Sequence, residues 1–306
     1  METAATTGGQ AATGQAARRA PAPHGKPFTI RKLSDLMAAE ITGIDLSQPI
    51  DDATRDAIMD ALVEHHILCF RDQHLSKEQQ FAFTERFGEI EGHVVRTWEG
   101  SKSPLVHTVS NLDKDGNPTE NPYTQGNFFW HTDKSYHLVP SLATLLHAIK
   151  LPPAGGSTQF TNMYAAYEAL PQEMKDRIAG LHAEHSWEAS RKNTFSRPAT
   201  EEEKQERPPV VHPIVRTHPV TGRKLLYIGH HTSRIVELPY GEGRALLYQL
   251  LDFATQPHRT YTHHWKLGDL VMWDNRCLLH RGMRDFDMTK YPRVLHRTVL
   301  KGSVPY

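Results

Sequence analysis

The chain has 306 residues, with 35 basic and 35 acidic side chains, a formal net charge of zero, and 38% hydrophobic and 8% aromatic content. Balanced charge argues against the broad positive footprint that nucleic-acid binding needs. No run approaches the roughly 20 apolar residues of a membrane helix, and the composition is globular rather than disordered. The two cysteines, Cys69 and Cys277, each lie in an apolar run. They cannot build a disulfide scaffold or a CxxC metal site, and they read as small core residues of a protein in a reducing cytoplasm.

Residues 1–25 are mostly Ala, Thr, Gly and Gln, with almost no large apolar side chain. Such a segment cannot offset its ordering entropy, so it reads as a disordered tail, and 26–306 as one domain. Strands are expected at 28–33 and 40–46. A helix follows over 52–66, with Ile58, Leu62 and His65 on one face. Residues 67–70 read as a buried strand. Ser76-Lys77-Glu78-Gln79 has the form of a capping box, Gly88 a stop, and Phe83 and Phe87 a core stripe between them. Asp, Gly, Asn and Pro cluster in a loop over 111–124. Strands are expected at 128–133, 142–149 and 157–161, then helices at 163–170 and 172–178. Residues 190–209 are too hydrophilic for core and read as a solvated excursion, with a lid as the alternative. A hairpin over 211–228, a helix over 242–253 and strands at 261–265, 270–273 and 294–301 complete the chain. Many short strands with flanking helices predict a mostly β fold, a sandwich or jelly roll.

His131-Thr132-Asp133 follows Phe128-Phe129-Trp130. On a strand, residues i and i+2 share a face, so the imidazole and carboxylate would converge. Two histidines and one carboxylate on one face of a metal suit non-haem Fe(II) oxygenases. With 20 histidines in the chain, one His-x-Asp pair is weak evidence alone. His182-Ala183-Glu184 competes and reads as strand surface. The C-terminal context strengthens the signal: Trp273-Asp274-Asn275-Arg276, then His280, then Arg293 and Arg297. The two arginines, four apart on a strand, would share a face and need anions to match their bidentate geometry. His263 and His264 read as solvent-facing strand residues, Trp273 to Asn275 as turn builders, and Cys277 as a structural thiol.

Taken in order, these motifs resemble the TauD/TfdA family of Fe(II)- and 2-oxoglutarate-dependent dioxygenases. The resemblance includes Phe70-Arg71-Asp72-Gln73, Arg86-Phe87-Gly88-Glu89, Gly155-Gly156-Ser157-Thr158, His212-Pro213-Ile214-Val215-Arg216 and Thr232-Ser233-Arg234-Ile235, and spans about 28–303. It implies a double-stranded β-helix, the cupin-like jelly roll. It implies His131, Asp133 and His280 as iron ligands, 2-oxoglutarate and O₂ as cosubstrates, and succinate and CO₂ as coproducts. The distal carboxylate of 2-oxoglutarate would meet Arg293 and Thr158. The stretch from His280 to Arg293 is longer than is usual in the family, so a short loop insertion is expected; Arg284 is the alternative frame.

The resemblance also implies a small anionic organic substrate hydroxylated next to a heteroatom. Its wall would be His93, Asn127, the backbone N–H of Lys134, and His231, with Arg297 on its anion. Gly229-His230-His231 is closer to the aryloxyalkanoate branch; a taurine-type sulfonate or an alkyl sulfate is the alternative. His231 would hydrogen-bond a carboxylate or ether oxygen, or else sit in a surface loop. A homo-oligomer is expected from the family. A zinc hydrolase or a non-catalytic cupin-like binding protein are the rivals; the first needs no anion pocket of Thr158, Arg293 and Arg297, and the second has little reason to keep all three metal ligands.

Overall fold

Alternate residues of the strand Leu270–Asp274 face two different cores. Leu270 and Met272 join one apolar cluster, Val271 and Trp273 the other. A strand covered on both faces has no polar side to expose, which is why its sequence is a continuous apolar run. The computed structural model describes residues 27–92, 95–97, 100–102, 106–120, 122 and 125–306. The expected tail over 1–25 and the candidate His93 lie outside the described residues.

Leu270–Asp274 is central in a seven-stranded sheet. Its order is Thr29–Lys32, Ala39–Thr42, Ile67–Phe70, Leu270–Asp274, Ser141–Lys150, Val294–Lys301 and His107–Ser110. A second sheet, of three strands, runs Thr260–His263, Thr158–Asn162, Leu278–Gly282. Phe160 and Leu279 from the smaller sheet share one apolar cluster with Leu146, Val271 and Leu295 from the larger. The fold is therefore a mostly β jelly roll with helices on its outside.

The other face of the large sheet is covered by two helices, Asp52–His65 and Lys77–Glu85. Asp51 caps the first by accepting from the Thr54 amide at 2.8 Å. Ser76 and Gln79 form the expected capping box on the second. Phe83 packs edge-on against Phe70 and Phe87, at centroid distances of 5.8 and 5.0 Å. Burying each such ring contributes about 1.5–3 kcal/mol. Both cysteines are buried, as expected. The hairpin also forms, from Val215–Thr217 and Lys224–Leu226. Among the described residues no helix is long and apolar enough to cross a membrane.

Three expectations are corrected. Residues 128–133 are not a strand: a 3₁₀ turn covers Gln125–Phe128, His131 makes an isolated bridge to His280, and Asp133 lies in a turn. The aromatic run suited a strand, but Lys134 takes a left-handed backbone (φ 55°) immediately after Asp133, which no regular strand permits. Residues 190–209 are solvated over more than half their length, as expected, but not throughout. They carry the end of helix Trp187–Asn193 and the helix Glu201–Glu206, with Ser190, Arg191, Thr194 and Glu203 buried. Their polar groups satisfy one another, as in the Arg197–Glu203 pair at 2.7 Å. His263 is buried, with its Nε2 3.2 Å from Asp269 Oδ2; only His264 faces solvent. Cys69 lies close enough to His263 and Asp269 to share a metal with them. Arg71, 2.6 Å from the same carboxylate oxygen, already supplies the balancing charge, so we read this cluster as a structural ion-pair network.

Candidate active site

His131 and His280 exchange backbone hydrogen bonds across their bridge, at 3.1 and 2.7 Å. This sets their rings 4.2 Å apart. Nε2 of His131 lies 3.8 Å, and Nε2 of His280 3.9 Å, from the same Asp133 oxygen, Oδ1. All three residues are buried. Burial pushes both imidazoles below their ordinary range, His280 strongly, so both rings are neutral and keep a lone pair. Burial alone would raise the Asp133 carboxyl; the Arg297 guanidinium beside it outweighs this, with a hydrogen bond from Thr144, and holds the group ionised.

Neighbours fix which atoms are left for a ligand. Nδ1 of His131 is 2.7 Å from the Phe129 carbonyl, which can only accept, so Nδ1 carries the proton and Nε2 the lone pair. Thr144 donates to Asp133 Oδ2 at 2.5 Å. Asn275 donates from Nδ2 to Thr144 Oγ1 at 2.9 Å and accepts from the Trp273 indole at 3.0 Å. Thr132 donates to the Asn275 carbonyl at 2.6 Å. Asp274, gripped by Arg276 through two bonds at 2.7 and 2.8 Å, stiffens the same turn. Asn275 thus begins the turn, as expected, and also orients Asp133 through Thr144, whereas Trp273 and Asp274 end the strand and Trp273 lines a cavity beside the histidines.

Two cavities, about 690 and 700 Å³ counted to their open mouths, meet at Asn127, His131, Asp133 and Arg297. The first contains His280, Thr158 and Arg293. Arg293 donates from Nε to the Gly156 carbonyl at 2.7 Å and from an η nitrogen to Thr158 Oγ1 at 3.3 Å. The Trp265 indole also donates to Thr158 Oγ1, at 3.0 Å. With two donors on its oxygen, the Thr158 hydroxyl hydrogen is left for an incoming acceptor. Arg293 is partly exposed to this cavity, yet deep enough that burial pushes its guanidinium down to about 10, with Asp285 pulling the other way. Gly155 and Gly156 make this floor possible. Both have positive φ, 78° and 69°; a Cβ on Gly155 would meet the Asp285 carbonyl oxygen at 2.1 Å, and one on Gly156 the Arg293 Cδ at 3.1 Å. Arg284, the alternative frame, is exposed, over the Phe128 ring and beside Gln125.

The second cavity holds Lys134, Tyr136, Trp187, Arg191, His230 and His231. His231 is buried rather than in a surface loop, with Nδ1 2.9 Å from Ser135 Oγ. An η nitrogen of Arg297 lies 2.9 Å from Asp133 Oδ1, and its Nε has no partner among the described residues. Of the sequence candidates with described positions, all nine therefore stand in or between these two cavities.

A family model described as "Taurine catabolism dioxygenase TauD, TfdA family" matches residues 29–299. This chain belongs to the TauD/TfdA family. It is 39% identical over 280 residues to the alpha-ketoglutarate-dependent 2,4-dichlorophenoxyacetate dioxygenase of Cupriavidus pinatubonensis, covering 89% of this chain and 97% of that one. It is 36% identical to the (S)-phenoxypropionate/alpha-ketoglutarate-dioxygenase of Sphingobium herbicidovorans, covering 89% and 94%. The crystal structure of AAD-2 in complex with Mn(II) and N-oxalylglycine superposes with a TM-score of 0.82 at 39% identity, covering 91% and 98%. The chain is thus an oxidoreductase, a TauD/TfdA dioxygenase that uses Fe(II), 2-oxoglutarate and O₂.

The residues present fit those groups. Two neutral imidazoles and one ionised carboxylate, their ligating atoms within 4.8 Å of one another, match the TauD/TfdA donor set for Fe(II) and leave one face open. The half-satisfied Thr158 and the desolvated Arg293 match a carboxylate. Sequence reasoning missed Thr144, Trp265, Trp187 and Arg191. Thr144 sits in an apolar strand and Trp265 beside a histidine pair, and neither context signals a role; Arg191 was hidden in a stretch whose hydrophilicity read as solvent exposure.

Proposed function

We propose that the chain hydroxylates an aryloxyalkanoate at the carbon beside its ether oxygen, so that the product collapses and releases a phenol. Iron held by His131, Asp133 and His280 supplies the oxidising chemistry when O₂ and 2-oxoglutarate are bound. Arg293 and Thr158 hold the distal carboxylate of 2-oxoglutarate, and Arg297 offers its guanidinium to the anion of the prime substrate. His231, Asn127 and the Lys134 backbone N–H complete the substrate wall. A reducing cytoplasm, in which Cys69 and Cys277 stay thiols, and a homo-oligomer belong to the same reading.

The observation that carries the proposal is the content of the second cavity. It brings three cations (Lys134, Arg191 and Arg297) together with the rings of Tyr136, Trp187, His230 and His231. One carboxylate on one aromatic ring suits that lining, and a ring-free sulfonate would leave the aromatic wall uncovered. A metal hydrolase would want a separate carboxylate base, and Asp133 is the only one lining either cavity among the described residues.

The test is succinate release from 2-oxoglutarate with Fe(II) and ascorbate, against phenoxyacetate, both enantiomers of 2-phenoxypropionate, taurine and a short alkyl sulfate. Succinate rising with a phenoxy acid, together with free phenol, is expected. Sulfite or sulfate release with no phenol would overturn the substrate assignment. Arg297→Ala and His231→Ala should raise the prime-substrate KM far more than that of 2-oxoglutarate; equal effects on both would contradict this division of labour.

The support around Asp133 makes its own prediction. Thr144→Val removes the donor that holds Oδ2 and frees the carboxylate to turn. Metal affinity, read by Fe(II) or Mn(II) titration, should fall roughly 10–100-fold. Unchanged affinity would mean that the turn alone orients the ligand.

A further inference from the structure

Lys134, whose backbone N–H belongs to the proposed substrate wall, also carries a buried charge beside it. Its Nζ is 3.2 Å from Glu91 Oε2, and both side chains are largely buried, 5% and 13% exposed. Glu91 is itself fixed. Ser141 Oγ donates to the same Oε2 at 2.9 Å, and the Glu91 amide donates to the Val299 carbonyl at 2.9 Å, on the strand that carries Arg297. Lys134 takes a left-handed backbone immediately after Asp133, and the residue lines the second cavity.

Charge arithmetic gives this pair a consequence. The cations on the second cavity are Lys134, Arg191 and Arg297, and its lining carboxylate is Asp133. Arg297 is tied to Asp133 at 2.9 Å. Lys134 is tied to a carboxylate that stands behind the wall. An ammonium has three hydrogens, and Glu91 accounts for one of them. The attraction that the cavity exerts on an entering anion is then set by how strongly Glu91 offsets Lys134.

We infer that the Lys134 ammonium is a second anchor for the substrate's carboxylate beside Arg297, and that Glu91 is a specificity-determining residue that tunes that anchor. This rests on the aryloxyalkanoate reading above and deepens it: the favoured substrate is a monocarboxylate whose charge lies within reach of both cations. Neutral aryl ethers of the same shape gain nothing from the pair.

The experiment uses the full-length enzyme with Fe(II) and 2-oxoglutarate, and compares phenoxyacetate with its uncharged amide. Binding of each to the anaerobic Mn(II)-loaded enzyme with 2-oxoglutarate is measured alongside turnover. Lys134→Met should weaken phenoxyacetate roughly tenfold or more, the scale of one charged hydrogen bond, with amide binding and the 2-oxoglutarate KM unchanged. Lys134→Arg should restore most of the loss. Glu91→Gln should act with the opposite sign and tighten phenoxyacetate several-fold. A merely structural ion pair would lose binding in both variants and for both ligands, and that result would overturn the inference. Equal weakening of acid and amide in Lys134→Met would overturn it too. If wild type releases no phenol but forms succinate with taurine or an alkyl sulfate, the substrate reading fails; the two variants are then compared on that anion, where opposite signs still support the anchor and equal signs refute it.

Discussion

An Asp133→Ala variant is expected to form no succinate above background and to lose Fe(II) and Mn(II) binding. Three consequences converge on this residue. It is the only anion among the three converging donors, so its loss leaves two neutral imidazoles to hold a divalent cation. It is the carboxylate to which Arg297 is bound, at 2.9 Å, so its loss strands a mostly buried guanidinium. It is also the acceptor for Thr144. Breaking a buried pair from one side costs about 3–5 kcal/mol, so stability should fall as well. Asp133→Asn keeps the shape and separates the two effects. It should fold, as judged by an unchanged far-UV spectrum and cooperative melting, and still bind metal poorly. An Asp133→Asn protein with normal metal affinity and turnover would remove Asp133 from the site.

Arg293→Ala should raise the 2-oxoglutarate KM by one to several orders of magnitude, as expected when a charged bidentate partner is lost. Its Nε is committed to the Gly156 carbonyl, which aims the remaining nitrogens at the cavity beside Thr158. Lysine cannot reproduce this fork, so Arg293→Lys should recover only part of the affinity. Arg284→Ala should leave the 2-oxoglutarate KM nearly unchanged, because that side chain stands outside on Phe128. Binding of 2-oxoglutarate to the anaerobic Mn(II) protein gives the same comparison without turnover. If Arg284→Ala raises the KM and Arg293→Ala does not, the positions assigned to the two side chains are wrong.

The loop between His280 and Arg293 explains why the sequence left two frames open. Asp285 docks on the Gly155-Gly156 turn, accepting from the Gly156 and Ser157 amides at 2.6 and 3.2 Å. The excursion therefore ends against the same turn that anchors Arg293. No local pattern between residues 282 and 292 carries that information, because both partners of the docking lie more than 120 residues away.

The amino-acid sequence by itself determined the elements whose signals are local. The capping box at Ser76–Gln79 and the apolar runs around Cys69, Cys277 and Leu270–Trp273 follow from side chains interacting with their own neighbours in the chain. It also determined the donor types at 131, 133 and 280, since a metal's preference for imidazole and carboxylate is a property of the residues themselves. The tertiary structure alone decided how those donors meet. His131 and Asp133 do not converge by strand alternation. They converge because a backbone bridge to His280, a left-handed turn at Lys134 and the Thr144–Asn275 brace force them together. It likewise decided that Ser190, Arg191 and Thr194, at the start of the hydrophilic stretch 190–209, line the second cavity. Polarity forbids burial only where polar groups lack partners, and here Arg197, Glu203 and the backbone supply them. Pairings across more than a hundred residues leave no mark on local periodicity, so the chemistry was legible in the sequence and its geometry was not.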